Sequence, residues 1–169
     1  IIVDNLPNKS FSKKLSKLSI INNKNIILYK KIDLTKTSQI KNLFQELKRK
    51  LSSIDILINC AGIQHISSVE NYSEEMWEKV LSINLSSSFY TSKYALPLMK
   101  KNNWGRIINI ASAHGQVASV NKSGYVASKH GMIGLTKTIA LETATMAITC
   151  NAICPGWVDT PIVSKQIEQ

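Results

Sequence analysis

Short β-branched runs alternate along this chain with longer segments of helical periodicity, the pattern of a parallel sheet covered by helices. The runs that read as strands are residues 1–4, 25–32, 54–59, 106–111 and 148–153. Between the second and third, Ile40, Leu43, Phe44, Leu47 and Leu51 recur at helical spacing with lysines on the other side, which predicts a surface helix. Ser73 is placed to start another helix: its hydroxyl can accept a free backbone amide, and Glu74 and Glu75 complement the positive end of the dipole. Pro97 should end or kink the helical region that follows. A last helix begins near Gly124 and runs through YVASKHGMIGLTKTIALE, setting Tyr125 and Lys129 on one face. No repeat or linker interrupts the pattern, so residues 1–169 read as one α/β domain.

Composition narrows the partners. A chain of 169 residues, 44% hydrophobic, holds one core and is too short for two comfortable domains. A formal charge of +10 raises nucleic acid or an anionic membrane surface as partners. Yet Arg49 and Arg106 are the only arginines, the lysines are spread along the chain, and the densest basic run, Lys9 to Lys31, has few aromatics to stack on bases. Nucleic acid is therefore set aside. Cys60, Cys150 and Cys154 have no partners at metal-ligand spacing and read as reduced thiols, with no metal. No apolar run approaches membrane length and IIVDNLPNKS does not read as a signal peptide, so the expectation is a soluble cytoplasmic protein without a membrane partner.

In a doubly wound sheet, ligands bind outside the carboxyl ends of the strands. NCAG (59–62), SAHG (112–115) and CPGW (154–157) each follow a predicted strand and so open on the same edge. A tyrosine, with an ordinary pKa of about 10, is a poor proton carrier near neutrality. A lysine one helical turn away favours its phenolate and brings the pair toward working pH. Ser112 can hydrogen-bond a carbonyl or alcohol oxygen and hold it against that hydroxyl. Ser112, Tyr125 and Lys129 can therefore move a proton on and off a substrate oxygen.

A tyrosine four residues before a lysine is weak by itself. The order Asn-x-Ala-Gly after a strand, Asn84 in a helix, Ser112 after the next strand, Tyr-x-x-x-Lys, then Pro-Gly after another strand resembles the short-chain dehydrogenase/reductase family over nearly the whole chain. The resemblance implies a Rossmann-like doubly wound parallel sheet with helices on both faces, and hydride transfer between a nicotinamide cofactor and a carbonyl or alcohol carbon. It makes Tyr125 the general acid/base, Ser112 the group that polarises the oxygen, Lys129 the cation that also bonds the cofactor ribose, and Asn84 the holder of a relay water.

The segments NCAGIQH, WGRIINIASAHG, VASVNKSGYVASKHG, GLTK and ITCNAICPGWVDTPIV are similar to the bacterial D-3-hydroxybutyrate dehydrogenases within that family. That likeness implies a small 3-hydroxy acid partner, with Lys122 supplying charge for its carboxylate, Gln64, His114 and Gln166 supplying hydrogen bonds, and Trp157 forming an apolar wall. It also implies NAD. Asn59, Ala61 and Gly62 lie where backbone approaches the adenosine ribose, Asp33 matches an adenine contact, and Pro155, Gly156, Val158 and Thr160 match the nicotinamide side. Tyr125 and Lys129 also face the cofactor. Asp4, at the end of the first strand, suits a ribose 2′-hydroxyl and would repel a 2′-phosphate, which favours NAD over NADP. Relatives resemble tetramers, with residues 73–101 and 124–142 as the expected interface.

The sequence departs from the family at both ends. IIVD aligns with the family's second strand, NLPNKSF contains no glycine, and the chain stops shortly after DTPIV. The first strand with its glycine-rich phosphate loop and the final strand are thus expected to be missing. For a strand order of 3-2-1-4-5-6, this leaves a gap between residues 1–4 and 54–59. Cys60 stands where the family usually has an asparagine. Two other readings remain: a reductase of another 3-oxo substrate such as a 3-oxoacyl thioester, and a non-catalytic remnant of a dehydrogenase.

Overall fold

The structure, a computed structural model, describes residues 2–4 and 29–158. Strands β1 (Ile2–Asp4) and β2 (Tyr29–Lys31) are followed by α1 (Thr37–Lys50), β3 (Ile56–Asn59), α2 (Glu74–Leu81), α3 (Ser87–Lys101), β4 (Trp104–Ile110), α4 (Ser123–Glu142) and β5 (Ala147–Ile153). A single π-helical turn, Ser82–Ser86, joins α2 to α3, and short 3₁₀ turns lie at Val69–Asn71 and Ala113–Gly115.

All pairings among these strands are parallel. β1 pairs with β2, while β3, β4 and β5 form a second sheet with β4 in the middle. Each expected strand is present, though residues 25–28 of the second lie outside the described residues. Among the described residues no pairing joins β1 or β2 to β3, and the expected strand order leaves its gap between β1 and β3. One edge of β3 is consequently unpaired among the described residues, and a groove of about 870 Å³ runs along it between Ile56, Ile58, Leu43 and Phe44.

Alternation along the strands fixes which face is covered. Asn59, Gly105, Ile107, Asn109, Ile148 and Cys150 are buried on one face, where Gly105 lies against Met99 of α3 and Asn109 against Thr136 of α4. A Cβ on Gly105 would come within 2.5 Å of the Met99 sulfur, so the close seating of α3 requires a glycine there. α1 packs on α3, and Ile40, Leu43, Phe44 and Leu47 of its apolar stripe join Leu98, Met99, Ile107 and Ile148 in the core. The opposite face leaves Ile56, Ile58 and Ile153 more than half exposed. The helices expected on both faces are therefore seen on one face of this sheet; residues 5–28, between β1 and β2, lie outside the described residues.

Two local signals can be followed in the helices. Ser73 caps α2 by accepting from the Met76 amide at 3.3 Å, as its hydroxyl predicts. Pro97, in contrast, does not end α3, which continues to Lys101. A proline inside a helix loses one backbone bond, and the buried Ala95, Leu98 and Met99 around it supply packing that offsets the loss. Among the described residues, no helix is long and apolar enough to cross a membrane.

Candidate active site

The parallel register sets Asn59, Asn109 and Ala152 level with one another, so the loops after β3, β4 and β5 emerge together. They enclose a cavity of about 380 Å³. Its walls bring together Ser112, Tyr125 and Lys129 with Gln64, His114, Lys122 and Trp157, and with Gly62, Pro155, Gly156 and Val158. These residues are distributed over nearly a hundred positions of sequence. What unites them is the end of one sheet and the first turns of α4.

Lys129 is only 4% exposed, and its ammonium donates to the Ile110 carbonyl at 2.7 Å, where β4 ends. Burial pushes its pKa down to about 8, with the neighbouring Cys60 and Cys154 acting weakly in the opposite direction. The ammonium lies 5.6 Å from the centroid of the Tyr125 ring. Ser112 is buried, and its hydroxyl oxygen accepts from the His114 amide at 3.2 Å, capping the 3₁₀ turn. The hydroxyl hydrogen can then point into the cavity. The close approach of this turn to α4 depends on Gly115, whose Cβ would lie 2.9 Å from the Lys129 carbonyl oxygen and 2.6 Å from Ile133.

Asn84 sits in the π-helical turn and is fully buried. Such turns concentrate at functional sites because they break the regular bond ladder. Its side-chain oxygen accepts from the Ile63 amide at 2.8 Å, while its NH₂ donates to the Ile63 carbonyl at 2.9 Å and to Ser128 at 3.1 Å. Both amide hydrogens are thus engaged in holding the loop after β3 against α4. A Cβ on Gly62 would lie 3.6 Å from the Asn84 side-chain oxygen and 3.7 Å from the Lys129 nitrogen, so the two polar groups face the same glycine.

At the other end of the cavity the Lys122 ammonium lies 5.4 Å over the Trp157 ring. The His114 ring meets Tyr125 edge-on at 6.0 Å and its Nε2 is 2.7 Å from the Ser119 hydroxyl. Burial, together with the Lys122 charge, pushes the His114 pKa below its ordinary value, which keeps the ring neutral near pH 7. An anion entering here meets one cation and neutral donors.

The remaining predicted residues fall elsewhere. Asn59 and Ala61 line the groove beside β3, and the Asn59 side chain turns inward to Asn109 and Thr91. Asp33 is exposed beyond β2, its carboxylate held below the usual range by hydrogen bonds from the Thr35 hydroxyl and amide. The backbone of Asp4 ends β1. Thr160 and Gln166 lie outside the described residues. The structure adds groups that sequence reasoning passed over, Ser119 beside His114 and the Ile110 carbonyl, and it sets Cys60, noted above as a departure from the family, on the cavity wall. A backbone carbonyl has no sequence signal, and a loop serine five positions from a histidine follows no periodicity.

Residues 8–169 match the family model described as short chain dehydrogenase. Over 140 residues the chain is 51% identical to the D-beta-hydroxybutyrate dehydrogenase of Cupriavidus necator, spanning 83% of this chain and 54% of that enzyme. With the enzyme of the same name from Rhizobium meliloti it shares 52% identity over 141 residues, 83% of this chain and 55% of that one. The chain thus spans about half the length of these curated relatives. Among solved structures, ligand-free aldohexose dehydrogenase of Thermoplasma acidophilum superposes with a TM-score of 0.80 at 36% identity, covering 89% of this chain and 59% of that one.

Proposed function

Since this chain belongs to the short-chain dehydrogenase family, we propose that it serves an NAD-dependent oxidoreductase interconverting (R)-3-hydroxybutyrate and acetoacetate. The observation that carries the reading is a single cavity shared by proton-transfer groups, Ser112, Tyr125 and Lys129, and carboxylate-binding groups, Lys122, His114 and Gln64.

The residues present fit a nicotinamide dinucleotide. A Cβ on Gly156 would meet nothing within 4 Å, so this loop offers open space against the backbone. The Lys129 ammonium has three donors and gives one to Ile110, which leaves two for ribose hydroxyls. Asn59, Ala61, Gly62, Pro155, Gly156 and Val158 would hold the group with Tyr125 and Lys129, with Thr160 beyond them, while Asp33 would meet the adenine and Asp4 the ribose. When bound, the cofactor supplies the hydride acceptor and donor.

The chain's own side chains account for the proton. Tyr125 accepts it from the substrate hydroxyl as the adjacent carbon–hydrogen bond breaks, and returns it in reduction. Lys129 favours the phenolate by charge. Ser112 donates to the same oxygen and stabilises the charge that develops there. Lys122 pairs with the carboxylate, Gln64, His114 and Gln166 complete its hydrogen bonds, and Trp157 walls the short alkyl end. Asn84 contributes by fixing the loop at Ile63, and at the one acceptor site its side-chain oxygen has left it holds the water that completes a proton relay through Lys129. The exposed Phe89 and Leu141 support homo-oligomer assembly through α3 and α4.

Steady-state NADH formation tests the reading, with (R)-3-hydroxybutyrate set against its (S) enantiomer and a 3-hydroxyacyl thioester. Turnover of the (R) acid is expected. Turnover of the thioester alone would replace this substrate with the larger one, and turnover of neither would make the chain a non-catalytic relative.

A further inference from the structure

A buried polar network lies behind the cavity, and of its members only Asn59 has a part in the proposed function, as a cofactor contact. Asn109 occupies an inward position of β4 and is 0% exposed. Its side-chain oxygen accepts from Asn59 at 2.8 Å, and its NH₂ donates to the Thr136 hydroxyl of α4 at 2.9 Å and contacts the Cys150 sulfur of β5 at 3.6 Å. Asn59 in turn accepts from Thr91 of α3 at 2.7 Å. One amide therefore ties β3, β5, α4 and, through Asn59, α3 to the central strand. Buried amides gain little net stability over well-packed apolar residues of the same shape, but they are directional. An isosteric leucine would fill the space and fix nothing.

The direction it fixes is that of α4. Thr136 and Lys129 are seven positions apart, which places them on one helix face about 10.5 Å apart along the axis. Lys129, Met132, Thr136 and Ile139 form the buried stripe of that face. Asn109 holds Thr136, and the next residue of β4, Ile110, holds the Lys129 ammonium. The two bonds between β4 and α4 together fix both rotation and register, whereas apolar contacts alone permit small sliding.

We propose that Asn109 is a positioning residue of this site: through Thr136 it sets the register of α4 on β4 and so holds Lys129 and Tyr125 at their working separation from Ser112. The proposal rests on the assignment of those three residues as the reacting array. Without the network, α4 slides and the Lys129 ammonium leaves the Ile110 carbonyl for a wetter position.

The test uses the protein as its gene encodes it, with Asn109→Leu and the isosteric Thr136→Val. The first readout needs no turnover: the titration of the Lys129 ammonium, followed by NMR in lysine-labelled protein and assigned with Lys129→Met. In the unmodified protein burial is expected to centre it at about 8; both variants are expected to move it up toward the ordinary lysine value. The second is kcat with NAD and (R)-3-hydroxybutyrate, expected to fall about tenfold or more, since small misplacements of reacting groups cost up to about 10²-fold. Variants that fold with an unchanged Lys129 titration would overturn the proposal and leave the network as packing alone. If Asn109→Leu does not fold, Thr136→Val decides by the same criterion. Absence of turnover in the unmodified protein would refute the functional reading instead, and the lysine titration would still decide the positioning role.

Discussion

Replacing Lys129 with methionine should stabilise the fold while removing activity. The ammonium is 4% exposed, and burial has brought its pKa from 10.5 to about 8. At about 1.4 kcal/mol for each tenfold change in proton affinity, keeping it charged near neutrality costs the folded state about 3 kcal/mol. Methionine fills a similar volume without charge, but it loses the bond to the Ile110 carbonyl, worth about 1.5–3 kcal/mol for a charged donor. The expected net gain at pH 7 is therefore about 1 kcal/mol. Its pH dependence is more diagnostic than its size. Below pH 8 the lysine is protonated in both folded and unfolded chains and the penalty is complete. Between pH 8 and 10.5 the folded chain has released the proton that the unfolded chain keeps, so the unmodified protein gains stability with rising pH. The advantage of methionine should shrink through that window and reverse once the penalty is gone. Urea unfolding of both proteins at pH 7 and 10, without cofactor, measures the difference directly. A methionine variant less stable at pH 7, with the same difference at pH 10, would show that the ammonium carries no burial penalty and that the cavity floor is wet.

Tyr125→Phe should lower turnover by about 10²–10⁴-fold and leave NAD binding nearly unchanged, as read by steady-state rates and cofactor titration, since only the proton carrier is lost. Lys122→Ala should raise KM for 3-hydroxybutyrate far more than for a neutral secondary alcohol; removal of one partner from a buried charge pair costs roughly 2–5 kcal/mol, and equal effects on both substrates would take Lys122 out of carboxylate binding. Asp4→Ser should narrow the preference for NAD over NADP by relieving repulsion of the 2′-phosphate; equal kcat/KM for the two cofactors before substitution would refute that role. Gly115→Ala should destabilise the protein by roughly 1–3 kcal/mol in urea melts, because the added Cβ meets the Lys129 carbonyl at 2.9 Å, backbone that cannot swing aside.

The strands, the stripe of α1 and the cap at Ser73 were legible because each depends on local pattern. Period-two alternation, three-and-four spacing and a hydroxyl before two glutamates carry their meaning within a dozen residues. The grouping of the candidate residues in one cavity was legible for another reason: their spacing follows the spacing of strand ends, so NCAG, SAHG and CPGW mark one edge before any contact is known. Of the two outcomes expected at Pro97, an end or a kink, the first does not occur, because tertiary packing of α3 outweighs the lost backbone bond. The second face of the β3–β5 sheet is seen only in part: Ile56, Ile58 and Ile153 are exposed among the described residues, and residues 5–28 and 159–169 lie outside them.

Asn84 and Asn109 show where pattern reading stops. Asn84 was recognised from its place in the family motif, yet the motif names a residue and not an atom; its side chain spends both amide hydrogens on Ile63 and Ser128. Asn109 carried a signal of its own, a polar residue at an inward position within WGRIINI, flanked by isoleucines. A buried amide at such a position must find partners, or it costs several kcal/mol. The sequence therefore demands a network there without saying which helix answers. Thr136 answers because α4 crosses β4 with its stripe of Lys129, Met132 and Thr136 facing inward. That same stripe delivers the ammonium to Ile110. The polar groups that hold the helix and the polar group proposed to do chemistry thus follow from one helical phase, and altering the first should be read out at the second.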